Sequence, residues 1–279
     1  MKGNGMDVEP ARNLFQLAHD CLTASGVERK LALALALRRG WRAGTLAVQP
    51  VALEAVAVAG RPPRPELVPP RELPRRSPAT AEGRLALIHA VAHIEFNAIN
   101  LACDAICRFQ AMPVAYHGDW AGVAAEEAEH FTRVRDLLRA RGRDYGDFPA
   151  HDGLWEMARR TAADPLTRMA LVPRMLEARG LDVTPGMIRR FDAAGDRETV
   201  AVLEVILREE VGHVAIGSRW FRHLCGERGL VPETTYLRLL DEFLNGGIRC
   251  PLNREARLRA GFSEGELTQL EARCGGRGR

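Results

Sequence analysis

The stretch Glu126-Glu127-Ala128-Glu129-His130-Phe131 decides the fold, because it places an acid inside an apolar stripe of helical period. Glu127 has Val123, Ala124, Phe131 and Val134 at the three-, four- and seven-residue spacings that share one helix face, and His130 follows three residues on. The pattern recurs in Glu209-Glu210-Val211-Gly212-His213-Val214, where Glu210 sits among Leu203, Ile206, Leu207 and Val214, with His213 again three residues later. Upstream, Glu95 lies in the stripe Val91, Ala92, Ala98, Ile99, Ala102. Glu177 lies near Ala170 and Leu181, although Arg174 and Pro173 make its face less cleanly apolar.

An ionised carboxylate in such a stripe is costly unless a cation accompanies it. No same-face lysine or arginine is available to Glu95, Glu127 or Glu210. One Glu from each of two helices, with Glu-x-x-His from each of two others, is the ligand set of carboxylate-bridged di-metal helix bundles. Hard carboxylate oxygens bridge two cations and one imidazole serves each metal. The candidate ligands are therefore Glu95, Glu127, His130, Glu177, Glu210 and His213. Their order strengthens the reading: Glu95 precedes Glu127 by 32 residues and Glu177 precedes Glu210 by 33, each pair spanning one expected helical hairpin. The plain alternative for each acid is a satisfied polar pair or an exposed face. Glu126, Glu129 and Glu209 point off the stripe and read as solvated. His89 and His93 read as structural, and no spacing ties Tyr116, Tyr145 or Tyr236 to the acids.

From Thr80 onward the chain carries long 3.6-period segments rich in Ala, Leu, Glu and Arg, which predict four long helices. The first runs from an N-cap at Thr80 to about Phe109, before Pro113; the second from about Asp119 to Arg141, stopping at Gly142. The third opens at Asp164-Pro165, is kinked at Pro173 and ends at Gly180; the fourth runs from about Asp196 to Cys225. Residues 182–195 and 143–163 read as connections. The expectation is an all-α chain divided into a helical extension over 1–60, a proline- and arginine-rich strap over 61–79, a four-helix bundle over 80–230 and a helical tail over 231–279. The extension holds helices near 11–22 and 26–39, and the state of 41–58 stays open. The tail breaks at Gly246-Gly247 and Pro251, and 275–279 should be disordered.

Composition agrees: 279 residues, 46% hydrophobic and 27% charged, is ordinary for a globular protein, which excludes disordered and fibrous classes. A net charge of +3 is too balanced for wholesale phosphate-backbone binding. The six cysteines are scattered without a CxxC, so reduced thiols fit best, and Cys250 and Cys274 take no assigned role. Met1–Pro10 is polar, the longest clean apolar run is Leu31–Leu37, and the expected location is the cytoplasm, without a membrane.

Gly83–Asp104, Glu126–Phe131 and Glu209–Val214, with the strap Arg64–Pro70 and the tail stretch Pro251–Arg257, resemble the ferritin-like superfamily. The closer resemblance is to a bacterial ferritin-like family known as domain of unknown function 455, over roughly residues 10–265. It implies a ferritin-like core with a di-metal centre at the six ligands named above, and brings no reaction with it. A more distant similarity is to the di-iron hydroxylases that act on a modified adenosine in tRNA, which points to oxygen chemistry rather than storage.

Three functions follow as expectations. The first is a di-iron oxidoreductase that activates O2 toward an unidentified small-molecule or modified-nucleoside substrate, drawing on an electron donor, with two iron ions expected and manganese as the alternative. The second is a ferroxidase or peroxide-handling protein without organic substrate. The third is a non-catalytic helical protein binding RNA through Arg61, Arg64, Arg71, Arg75 and Arg76, although arginine interleaved with proline is more often a solvated linker.

Overall fold

In the computed structural model, residues 12–74, 79–244 and 248–274 are described. The polar start, Arg75, Arg76, the Gly246-Gly247 break and the expected disorder of 275–279 lie outside them.

Local capping chemistry sets most helix starts. The Thr80 hydroxyl accepts from the Gly83 amide at 3.0 Å and opens α3 (Ala81–Arg108), as expected. α4 (Val114–Ala140) starts directly after Pro113, five residues before the expected Asp119, since the added turn buries Tyr116 and His117. Only residues 109–113 join the two, so α3 and α4 lie antiparallel, and they pack along their lengths. The Asp164 carboxylate accepts from the Leu166 and Thr167 amides at 3.3 and 3.1 Å and opens α6 (Pro165–Leu171). A π-helical stretch over Val172–Glu177 carries Pro173 and leads into α7 (Ala178–Ala193). The break expected at Pro173 is thus a change of helix pitch. The expected end at Gly180 is not found. The helix continues because Leu181, Thr184 and Phe191 bury a face of α7, so the supposed connection over 182–195 is mostly helix. Asp196 caps α8 (Arg197–Glu227) through the Thr199 amide at 3.1 Å.

Around this set the chain adds α1 (Leu14–Thr23) and α2 (Val27–Arg42), which pack on α3 and α4 respectively. The undecided stretch after Trp41 contributes β2 (Leu46–Ala47), paired in parallel with β1 (Arg12–Asn13), so the all-α chain carries one minimal ribbon. Over residues 61–74 the strap holds a 3-10 turn at Pro70–Glu72, so it is not extended throughout, and it hydrogen-bonds to Ala150, with Val68 N donating to Ala150 O and Ala150 N donating to Glu66 O, both at 2.9 Å. The link over 143–163 contains an unanticipated α5 (Gly153–Arg160), pinned where Trp155 Nε1 donates to Ala57 O at 3.1 Å. The tail forms α9 (Pro232–Phe243), α10 (Arg254–Arg259) and α11 (Glu264–Ala272).

One further expectation is corrected. Cys250 and Cys274 are joined by a disulfide, because the tail folds back and brings their Cα atoms to 5.8 Å; Cys21, Cys103, Cys107 and Cys225 remain thiols. Among the described residues α3 is the one helix long and apolar enough to cross a membrane by length and composition. Most of α3 is buried inside the protein and it carries the buried Glu95, so its apolar surface serves the core.

Candidate metal centre

The helical spacings bring five of the six expected ligands into two triads that share one residue. Glu95, Glu127 and His130 form the first; Glu127, Glu210 and His213 form the second, and within each the ligand atoms lie within 4.8 Å of one another. Glu127 is the bridge. Its Oε2 is 3.3 Å from His130 Nδ1 and its Oε1 is 2.9 Å from His213 Nδ1. Glu95 Oε2 meets His130 Nδ1 at 3.3 Å, and Glu210 Oε2 meets His213 Nδ1 at 3.2 Å. The two imidazole centroids are 5.7 Å apart. Glu177, the sixth, belongs to neither triad but lines the same cavity as Glu95, Glu127 and Glu210, and among the described residues its buried Oε2 has no hydrogen-bond partner. The arginine that clouded its sequence environment turns elsewhere: Arg174 binds Glu266 with two contacts of 2.8 Å.

Two acids read as solvated are part of the cluster. Glu209 of α8 holds His130 Nε2 of α4, and Glu126 of α4 holds His213 Nε2 of α8, each at 2.8 Å. The exchange is reciprocal between the two helices. Its trace in the sequence is the doubled glutamate before each histidine, but which imidazole each outer acid reaches is a tertiary fact. Glu129, by contrast, is half-exposed and pairs with Arg38. His89 Nε2 accepts from Gly146 N at 2.9 Å, and His93, which lines the cavity beside the cluster, contacts Tyr145 Oη at 3.0 Å and His151 O at 3.1 Å. Tyr145 also packs on Phe96 and Phe131, neighbours in sequence of Glu95 and His130. Tyr116 and Tyr236 lie elsewhere in the core.

Burial and mutual repulsion set the electrostatics of the cluster. Burial, reinforced by the Glu127 charge, raises Glu95 well above the usual carboxylate range. Burial, then the charges of Glu210 and Glu127, does the same to Glu177; burial also raises Glu210 against the pull of His213. At Glu127 burial opposes ionisation, yet His213 and His130 outweigh it and hold the carboxyl low. Burial would keep His130 neutral, but hydrogen bonds to Glu127 and Glu95 push it up to about 11, and Glu127 likewise raises His213. Protons thus balance four converging carboxylates, the role divalent cations would take. The donor set, the shared bridge and the unpartnered Glu177 oxygen all fit a pair of such ions.

Above the carboxylates lies a cavity of about 370 Å³. Ala98 and Leu101 of α3, Val183 and Met187 of α7, and Leu203 and Ile206 of α8 form much of its wall.

The fold and site define a predominantly helical protein with a buried carboxylate–imidazole cluster able to hold metal ions. The family model described as "Protein of unknown function (DUF455)" matches residues 23–268, which includes every residue of the cluster, and the chain belongs to that family. An uncharacterized protein of Haemophilus influenzae is 46% identical over 217 residues, covering 75% of each chain. No solved structure matches.

Proposed function

We propose that the chain is a ferritin-like four-helix bundle, made of α3, α4, the α6–α7 segment and α8, that holds two metal ions and uses dioxygen to oxidise an organic substrate. Iron is the metal of the proposal and manganese the alternative, since both accept oxygen-rich sites with one imidazole each. Bound there, the pair supplies redox chemistry with O2 that protein side chains cannot. An external electron donor completes the scheme.

The chain's own residues prepare this chemistry. Glu127, which contacts Nδ1 of both His130 and His213, would be shared by the two ions, and each imidazole would offer its Nδ1. Glu209 and Glu126 accept the Nε2 proton, which selects the tautomer whose Nδ1 lone pair is free for a metal. Glu177, with an unpartnered oxygen, has room to change its mode of contact. The apolar wall excludes bulk water from the reacting face.

The observation that carries the proposal is the opening of both triads into one apolar cavity. A ferroxidase would need a polar route for hydrated ions, whereas this wall is mainly aliphatic. Of the arginines in the RNA reading, Arg61 donates to the backbone carbonyls of Pro62 and Pro65 while Arg64 and Arg71 are exposed, and no specific observation favours that reading over the metal centre.

Elemental analysis of the purified protein, beside Glu127→Ala and Glu210→Ala, tests the assignment. About two metals per chain are expected in the parent. Glu127→Ala, which removes the bridge, should retain almost none, and Glu210→Ala at most one, with unchanged helicity by circular dichroism. Parental metal content in both variants would remove the site.

A further inference from the structure

We propose that the cavity binds an elongated apolar molecule ending in an anion of the carboxylate or phosphate type, with its tail toward the glutamates and its anionic end at Arg179. The inference deepens the oxidoreductase reading, and rests on it for what becomes of the tail.

At about 370 Å³ the cavity is on the scale of small-molecule sites, and its wall is mostly aliphatic. Its charges are segregated. The inner end carries Glu95, Glu127, Glu177 and Glu210, and the side chains of Glu95 and Glu127 are only 7% and 2% exposed. Arg179 is the one arginine or lysine among the lining residues, and at 37% exposure its side chain stands at the solvent end.

The Arg179 guanidinium is poorly neutralised. Its Nη1 donates to the Arg249 carbonyl at 3.0 Å, and the acid paired with it, Asp182, is 3.7 Å away. Asp182 is already gripped by Arg257 through contacts of 2.9 and 2.8 Å. Among the described residues Nε and Nη2 of Arg179 have no hydrogen-bond partner, which leaves donors in the fork geometry that suits a carboxylate or phosphate. The inner end does not compete for the anion: its four carboxylates would balance the charge of two divalent ions, so no net cation would remain there. A tail of low polarity fits the wall and a head of negative charge fits the mouth.

Calorimetric titration of the full chain, with metal content measured on the same sample, tests this with four ligands of equal tail length: decanoate, decyl phosphate, decan-1-ol and decyltrimethylammonium. Decanoate or decyl phosphate should saturate one site per chain, at least about tenfold tighter than the cation, as one charge-assisted contact provides. The tighter of the two anions identifies the head group. Arg179→Gln should erase that preference while leaving decan-1-ol unchanged, and Ala90→Trp, at the exposed edge of the lining, should weaken all four. Absence of saturable uptake, equal affinity for anion and cation, or an unaltered preference in Arg179→Gln overturns the proposal. Uptake by protein that holds no metal would leave this inference standing and sink the metal reading; two metals per chain without uptake would do the reverse.

Discussion

Glu126 and Glu209 are 37% and 36% exposed at the side chain, yet each closes a contact of 2.8 Å on a histidine that is almost wholly buried. A neutral amide at either position can still accept the Nε2 proton but no longer stabilises the imidazole's charge distribution. Changes to such outer partners typically cost ten- to a hundredfold in metal affinity. Glu126→Gln and Glu209→Gln should each weaken metal binding about tenfold in competition against a chromophoric chelator, with the thermal unfolding midpoint little changed because the groups are solvent-facing. Unaltered affinity in both would mean that packing alone orients the imidazoles. At this scale the sequence reveals the inner acids, since helical spacing fixes which side chains share a stripe. It hides the outer pair, since Glu126 reaches across to another helix and no period records that.

The π-helical stretch over Val172–Glu177 is the element where sequence and structure diverge most, and its packing explains why. Pro173 removes a backbone donor, which announces a disturbance but not its form. The form is set by neighbours. Arg174 is buried in a cage of Phe221, Tyr236 and Phe262, at 4.7, 4.2 and 4.5 Å from the ring centroids, and Tyr236 Oη donates to the Arg174 carbonyl at 2.9 Å. The tail helices thereby fix the segment that presents Glu177 to the cavity. On the other side Pro173 presses into α8 at Gly217, where an added Cβ would lie 2.4 Å from both Cβ and Cγ of the ring. A proline ring cannot swing aside, so Gly217→Ala must separate α8 from the stretch. The expected cost is about 1–3 kcal/mol by urea denaturation, together with reduced metal affinity as Glu177 shifts. Gly226→Ala, on the same helix with open space around the new methyl, serves as the control and should not destabilise. Equal behaviour of the two variants would show that the Pro173 contact yields without consequence for the site.

At the scale of the whole molecule, the long helices α3, α4 and α8 were legible because their stripes are long, whereas the third expected helix was cut short at Gly180. The role of residues 12–60 was not legible, because the surfaces they cover belong to helices far along the chain. Leu14, Phe15, Leu17 and Leu22 of α1 are buried in the common core, and α2 packs on α4. Lys30, fully buried, donates from Nζ to the carbonyls of Cys21 and Leu22 at 2.6 and 3.1 Å and to Asn100 Oδ1 on α3 at 2.6 Å. This lysine satisfies carbonyls at the end of α1 while tying the extension to the helix that carries Glu95. Burying each large apolar side chain contributes roughly 1.5–3 kcal/mol, so the four named from α1 rival the net stability of about 5–15 kcal/mol typical of a folded domain. A chain lacking residues 1–60 should therefore lose its cooperative calorimetric transition and bind a hydrophobic dye, rather than fold into a smaller metal-binding core. A sharp transition with parental metal content in that truncated chain would return the extension to the status of an appendage and place the folding unit entirely within the long helices.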